Sequence, residues 1–339
     1  MKDIRNYSLL GHNTFGIAAR CARFLEYASV EEAQRVCALL RGDGLAPFML
    51  LGAGSNLLLT GDYDGTVVHS AIKGKSMLDD GLGNVVLRCG SGETWDDVVA
   101  WTVELGLGDL AALSLIPGDV GESAVQNIGA YGSEVGQFVR EVHAVELLTG
   151  KRVVIKGEDC GYGYRDSRFK HEWRGCFLIT HVVYALRRGT MPCLDYGNIR
   201  QELQRRGMAE PTPSELRQVI IDIRRSKLPD PGQWGNAGSF FMNPVVPRTQ
   251  YEALAARYPQ MPHYYLNEAL EKIPAGWLID QCGWKGRSMG RAGVYEKQAL
   301  VLVNLGGATG AEIVSLCQAI QRDVKQQFGI DLKPEVNIV

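Results

Sequence analysis

Phe48-Met49-Leu50-Leu51-Gly52-Ala53-Gly54-Ser55-Asn56-Leu57-Leu58-Leu59 is the stretch on which the fold class turns. Phe48 to Leu51 reads as a short apolar strand, a glycine-rich turn follows, and a second apolar run starts at Leu57. Upstream, Ser29-x-x-Glu32 has the form of a capping box, and Ala33, Val36, Cys37 and Leu40 make one apolar face. Gly42 and Gly44 end that helix. Helix and strands at this spacing predict a small α/β unit over residues 1–66. The turn Gly52 to Asn56 suits converging backbone amides that hold an anion, and equally a plain tight turn. It is neither a Walker loop, since no Gly-Lys-Ser/Thr follows, nor a Gly-x-Gly-x-x-Gly dinucleotide fingerprint.

Beyond Val67 the pattern changes. Val85 to Cys89, Val142 to Leu147 and Phe177 to Thr180 read as strands, and Thr94-x-x-Asp97 as the cap of a helix through Trp101 and Leu105. Between them lies Ile116-Pro117-Gly118-Asp119-Val120-Gly121-Glu122-Ser123-Ala124-Val125-Gln126-Asn127-Ile128-Gly129-Ala130-Tyr131-Gly132. Its glycines, with Ser123, Gln126 and Asn127, suit a pyrophosphate or a flat heterocycle, or else form a structural Ω-loop. A helix from Thr212-Pro213-x-Glu215 carries Leu216, Val219, Ile220 and Ile223 as its buried stripe. It stops at Lys227-Leu228-Pro229-Asp230-Pro231, a domain boundary. A third unit runs to Phe328; its last helix has Thr309-x-x-Glu312 as cap, and an apolar tail follows.

Bulk properties exclude several classes. A net charge of −2 over 339 residues supplies no basic surface for nucleic acid or anionic membrane. No apolar run approaches the ~20 residues of a membrane span, and Met1 to Asn6 lacks the core of a secretory signal. Eight cysteines contain no Cys-x-x-Cys pair, so they read as reduced core residues of a cytoplasmic protein. No metal site is expected, because the six histidines show no ligand spacing.

Gly235-Asn236-Ala237-Gly238-Ser239-Phe240-Phe241-Met242-Asn243-Pro244 places a serine between a flexible entry and two anchoring aromatics. Ser239 is expected at the edge of a cavity, as a group that transfers a proton. A nucleophilic role is disfavoured, since no Gly-x-Ser-x-Gly elbow and no histidine base in an obvious motif accompany it. Arg165, in Gly161-Tyr162-Gly163-Tyr164-Arg165-Asp166-Ser167, suits a carboxylate or phosphate, or a surface pair with Asp166. Glu335 sits among Leu332, Val336 and Ile338, where a carboxylate needs a partner unless the terminus frays. Asp195-Tyr196-Gly197 fits a turn, and Lys227 fits a helix C-terminal cation.

Taken together, these segments resemble the UDP-N-acetylenolpyruvoylglucosamine reductase family, over nearly the whole chain. The resemblance rests on Asn13-Thr14-Phe15, Leu51 to Asn56, Ile116 to Gly118 with Gln126 to Gly132, Tyr164 to Ser167, Gly238 to Pro244 and Pro334 to Val336, in that order. It implies an α+β chain with a two-subdomain FAD-binding fold of the vanillyl-alcohol-oxidase class (residues 1–66 and 67–227). A C-terminal α+β substrate-binding domain (228–328) and a returning tail (329–339) complete it. It further implies FAD held by Gly52, Ala53, Gly54, Ser55, Asn56, Ile116, Pro117, Gly118, Ser123, Gln126, Asn127, Gly129, Ala130 and Tyr131. The implied catalytic residues are Arg165, Ser239 and Glu335. Tyr196, on a loop that marks the type I form, Lys227, Asn243 and Gln298 are the implied substrate contacts.

By resemblance, NADPH reduces FAD. Hydride then passes from flavin N5 to the enolpyruvyl methylene of a UDP-sugar, and Ser239 protonates the α-carbon. Arg165 and Glu335 stabilise the enolate. The expected setting is a bacterial cytoplasm, with the chain a monomer making a peptidoglycan precursor. Two departures stand out: Asp119 occupies a position where a small hydroxyl residue is common, and Met242 one where lysine is common. The alternatives are another flavin oxidoreductase of this fold class and a non-catalytic sugar-nucleotide-binding module.

Overall fold

The structure, a computed structural model, describes residues 1–195 and 198–339. The chain divides into two units, one of Met1–Tyr7, Cys21–Ala53 and Asp64–Arg224, the other of Ser8–Arg20, Gly54–Tyr63 and Arg225–Val339.

The first unit holds a four-stranded sheet in the order Lys2–Ser8, Arg20–Tyr27, Tyr63–Ser70, Phe48–Leu51. The last two strands are parallel, with Phe48 opposite Thr66 and Leu51 opposite His69. A five-stranded antiparallel sheet follows, in the order Arg152–Lys156, Val139–Glu146, Phe177–Arg187, Asn84–Gly90, Lys75–Asp79. The helix Val30–Gly42 packs against both sheets. Its stripe of Ala33, Val36, Cys37 and Leu40 lies against Leu25 and Val68 of one and Val145 and Leu178 of the other. Each fully buried valine or leucine among them contributes about 1.5–3 kcal/mol. Trp95, Val98 and Val99 of the helix Trp95–Glu104, with Val120 and Ala124 of Val120–Gln126, form a second core with Leu87, Val142 and Val182. A third core joins the helices Ile199–Arg205 and Pro213–Lys227 through Leu203, Leu216, Val219, Ile220 and Ile223.

The second unit is assembled from small sheets around the helix Gly310–Phe328. Its tail is paired, with Asn337 and Ile338 running parallel to Leu57 and Leu58. Phe240 and Phe241 are buried and stack edge to face, and Phe15 meets Phe240 at 6.1 Å. The expected anchoring role of this aromatic pair is what these contacts show.

Several sequence expectations need correction. The boundary at residue 66 falls inside the strand Tyr63–Ser70, whose hydrogen bonds to Phe48–Leu51 keep residues on both sides in one sheet. Residues 54–63 join the second unit instead of the first, because Leu57 and Leu58 pair with the tail. The strands Lys2–Ser8 and Arg20–Tyr27 were not anticipated; the polar first of them gives no apolar alternation to read. Thr94 precedes its helix but its side chain makes no capping bond. Thr309 and Glu312, in contrast, form both halves of a capping box. Replacing Thr309 by Ala is therefore expected to cost about 1 kcal/mol in urea unfolding, while Thr94→Ala costs under ~0.3 kcal/mol. Equal losses at the two sites would contradict this difference.

Candidate cofactor and substrate sites

In the first unit the loop Ser114–Gly132 is shaped by unusual backbone. Leu115, Asn127 and Tyr131 are left-handed (φ +57°, +44° and +52°), and so is Arg165 (φ +54°). Each such residue costs of order 1–3 kcal/mol, so their grouping marks a region held for a purpose. Asn127 does much of the holding. It is 1% exposed, its Nδ2 donates to the Gly163 carbonyl at 2.6 Å and to Glu134 at 2.9 Å, and its Oδ1 accepts from the Gly136 N–H. The amide thus ties the loop to the segment that carries Arg165. Ser167, whose Oγ donates to the Val125 carbonyl at 2.7 Å, adds a second tie. The Arg165 guanidinium reaches back to donate to the Gly129 carbonyl at 2.5 Å. A side chain at Gly129 would meet that guanidinium at 2.7 Å and the Ser133 carbonyl at 2.8 Å, so only glycine fits there. Asp166 bonds to His171 at 2.7 Å, which places its carboxylate in a different pairing from the surface Arg165–Asp166 pair considered above.

Gln126 is half-buried, and its amide makes no hydrogen bond among the described residues, so it can serve a ligand. Ile116, Gly118, Ala130 and Tyr131 are likewise partly open, and Gly118 has φ +129°. Ser123 is spent inward: its Oγ donates to the Val120 carbonyl at 2.7 Å and lies 3.3 Å from the Tyr184 hydroxyl. Gly52 and Ala53 end the Phe48–Leu51 strand beside this loop's Glu122. These groups fit a large polar cofactor with several hydrogen-bonding edges. Asp119 fits less well. Its carboxyl makes no hydrogen bond among the described residues, and burial pushes its pKa up to about 6 against the pull of His69 and Lys73.

In the second unit Gly54, with φ +68°, lies where a Cβ would stand 2.0 Å from the His12 carbonyl. Thr14 N–H donates to the Gly54 carbonyl, and the Asn56 side chain donates to the Glu335 carbonyl at 3.4 Å. Ser55 is buried. The Glu335 N–H donates to the Phe240 carbonyl at 2.8 Å, and Phe241 bridges to Pro334. Ser239 and Glu335 are therefore carried on adjoining extended segments, joined by isolated bridges. Ser239 is bridged to Val301 and is exposed, so the expected cavity edge is not closed over it. Glu335 is half-buried, and the frayed-terminus alternative is replaced by a tail paired to Leu57 and Leu58.

Four residues beyond Ser239, Asn243 lines a cavity of about 370 Å³ with Tyr264, Trp277, Asp280, Lys285, Lys297 and Gln298. Asn243 Oδ1 accepts from the Ala275 N–H at 2.9 Å, which leaves its NH₂ for the cavity. The cavity brings Asn243 and Gln298 together. It adds Tyr264, Lys285 and Lys297, which sequence reasoning missed: no local pattern separates this tyrosine and these two lysines from ordinary solvated residues. Lys227 is the exposed last residue of the helix Pro213–Lys227. Tyr196 lies outside the described residues.

An FAD-binding domain model matches residues 21–156, and a model of the C-terminal domain of UDP-N-acetylenolpyruvoylglucosamine reductase matches 230–339. The protein is thus an FAD-dependent oxidoreductase with the mixed sheet-and-helix architecture of that class. The chain is 49% identical over 335 residues to UDP-N-acetylenolpyruvoylglucosamine reductase of Bacteroides fragilis, covering 99% of each. It is 47% identical over 334 residues to that of Burkholderia orbicola, covering 97% of this chain and 95% of the relative. It belongs to the UDP-N-acetylenolpyruvoylglucosamine reductase family. The solved reductase (MurB) of Thermus caldophilus superimposes with a TM-score of 0.65 at 23% identity, covering 99% of this chain and 98% of that one. A VAO-type flavoprotein of Myceliophthora thermophila gives 0.50 at 13% identity, covering 91% and 70%. Both show the shared fold.

Asp119 yields a signed pH dependence. Its folded pKa lies above the ordinary carboxylate value, so the folded state gains relative stability when Asp119 is protonated and loses it as pH rises from about 4 through 6. Asp119→Asn is expected to raise the Tm of apoprotein at pH 7.5, with the gain shrinking towards pH 4. A pH-independent gain would show that the carboxyl's ionisation is not its source.

Proposed function

We propose that the chain reduces the enolpyruvyl ether of UDP-N-acetylglucosamine to UDP-N-acetylmuramate, with NADPH as the electron source and FAD as the cofactor. The observation that carries this reading is the backbone bond from the Glu335 N–H to the Phe240 carbonyl, which ties the tail that bears Glu335 to the segment that bears Ser239. Bound FAD would supply the hydride chemistry that links NADPH to the substrate's terminal methylene. Gly52, Ala53, Gly54, Ser55, Asn56, Ile116, Pro117, Gly118, Gln126, Asn127, Gly129, Ala130 and Tyr131 would hold it. Ser123 would support them from beneath.

The residues of the chain do the rest. Arg165 binds the enolpyruvyl carboxylate and neutralises the charge that grows on it. Glu335 shares a proton or hydrogen bond with the same group. The Ser239 hydroxyl gives its proton to the α-carbon, a step that an alcohol performs only for a strongly basic enolate in a dry site. Because Ser239 is exposed without ligands, substrate itself must seal the site. Asn243 and Gln298, with Tyr264, Lys285 and Lys297, offer donors to a nucleotide diphosphate, and Lys227 and Tyr196 are assigned to the same ligand. The same reading has the chain working as a monomer in a bacterial cytoplasm, since both substrates are soluble nucleotides.

Ser239→Ala is expected to keep NADPH-dependent flavin reduction while slowing flavin reoxidation by the enolpyruvyl nucleotide at least ~100-fold. Stopped-flow flavin absorbance reads both half-reactions, and unchanged reoxidation would sink the role of Ser239.

A further inference from the structure

One cation in the first unit has no place in the roles above. Arg224 stands four residues after Ile220 on the helix Pro213–Lys227, on the flank of its buried stripe. Its Nε is sealed from solvent and has no hydrogen-bond partner among the described residues. The guanidinium faces the Tyr131 phenol oxygen as a donor and interacts with it electrostatically, and the positive charge of Arg165 also acts on it. Burial pulls the Arg224 pKa down, Arg165 adds to that, and Tyr131 and Asp96 work against it. Asp96 is a poor counter-ion here, because it is already engaged. Its two oxygens take Arg217 at 2.7 and 2.9 Å, and Oδ1 also accepts from the Leu115 N–H at 2.6 Å. Two like charges are thus held within electrostatic reach, one of them with a buried N–H unused. An arrangement of this kind is unfavourable until an anion arrives, and the relief then adds to that anion's binding.

We propose that Arg224 is a positioning residue for the carboxylate of the sugar-nucleotide substrate, acting through Tyr131 and through its charge beside Arg165. The proposal rests on the reaction assigned above. Arg224 keeps the phenol of Tyr131 in place and adds a second positive charge to the field in which Arg165 meets the carboxylate. Neither Tyr131 nor Arg165 need move for this field to act, and both sit on left-handed backbone that fixes them.

The test compares UDP-N-acetylmuramate with UDP-N-acetylglucosamine, which lacks the 3-O-lactyl group and hence its carboxylate, by calorimetric titration of FAD-loaded enzyme. Arg224→Gln is expected to weaken UDP-N-acetylmuramate about 10-fold while changing UDP-N-acetylglucosamine less than ~2-fold, and Arg224→Lys to recover most of the loss. Tyr131→Phe, which removes the anchor and keeps the charge, is expected to give a smaller selective loss of about 3-fold. It reads the same contrast should the Gln variant fail to hold FAD. Equal weakening of both ligands, or of neither, would overturn the proposal and leave Arg224 a structural residue. If wild-type enzyme binds neither nucleotide, the reaction assignment falls and takes the proposal with it.

Discussion

Much of the cofactor half of this protein depends on how one buried amide is satisfied. Asn127 uses both Nδ2 hydrogens and its Oδ1 inside the chain, on left-handed backbone, at a position almost closed to water. A buried polar network of this kind rigidifies when every group is paired and becomes costly when any one is lost. The amide binds the Gly163 carbonyl, two residues before Arg165, and the Gly136 N–H beyond Tyr131. Loop and arginine are thereby set in one frame before any ligand binds. Preorganisation of that sort lets charge stabilisation act without reorganisation during the reaction.

The second unit solves a different problem. In the role proposed for it, its serine needs a fixed backbone yet must be reachable, and the two demands fall on different residues. Phe240 and Phe241 are buried as anchors, with the Phe240 N–H bonded to the Leu300 carbonyl and its carbonyl to the Glu335 N–H. Ser239, one residue earlier, stays exposed. The tail reaches Glu335 because Asn337 and Ile338 pair with Leu57 and Leu58, which explains why residues 54–63 belong with the C-terminal unit.

Legibility of the chain in its sequence was uneven for physical reasons. The helices at Val30 and Gly310 were readable because stripe and cap agree locally. The strand Lys2–Ser8 was not, since its residues are mostly exposed and polar. Gly-rich loops were read as ligand-facing or as structural turns, and sequence could not tell that Ser123 points into the core while Gln126 stays available. Such a distinction is made by the Tyr184 hydroxyl, 61 residues away. Arg224 went unnoticed because charged residues on helices are usually solvated. Its spacing of four from Ile220 was the available signal.

The central claim is that a flavin held by this chain passes electrons to an enolpyruvyl sugar nucleotide. It is tested most directly by anaerobic titration of the FAD-loaded protein. NADPH should bleach the flavin absorbance, and enolpyruvyl-UDP-N-acetylglucosamine should restore it stoichiometrically, while UDP-N-acetylglucosamine should leave it bleached. Flavin that stays reduced after the enolpyruvyl nucleotide is added would contradict the account.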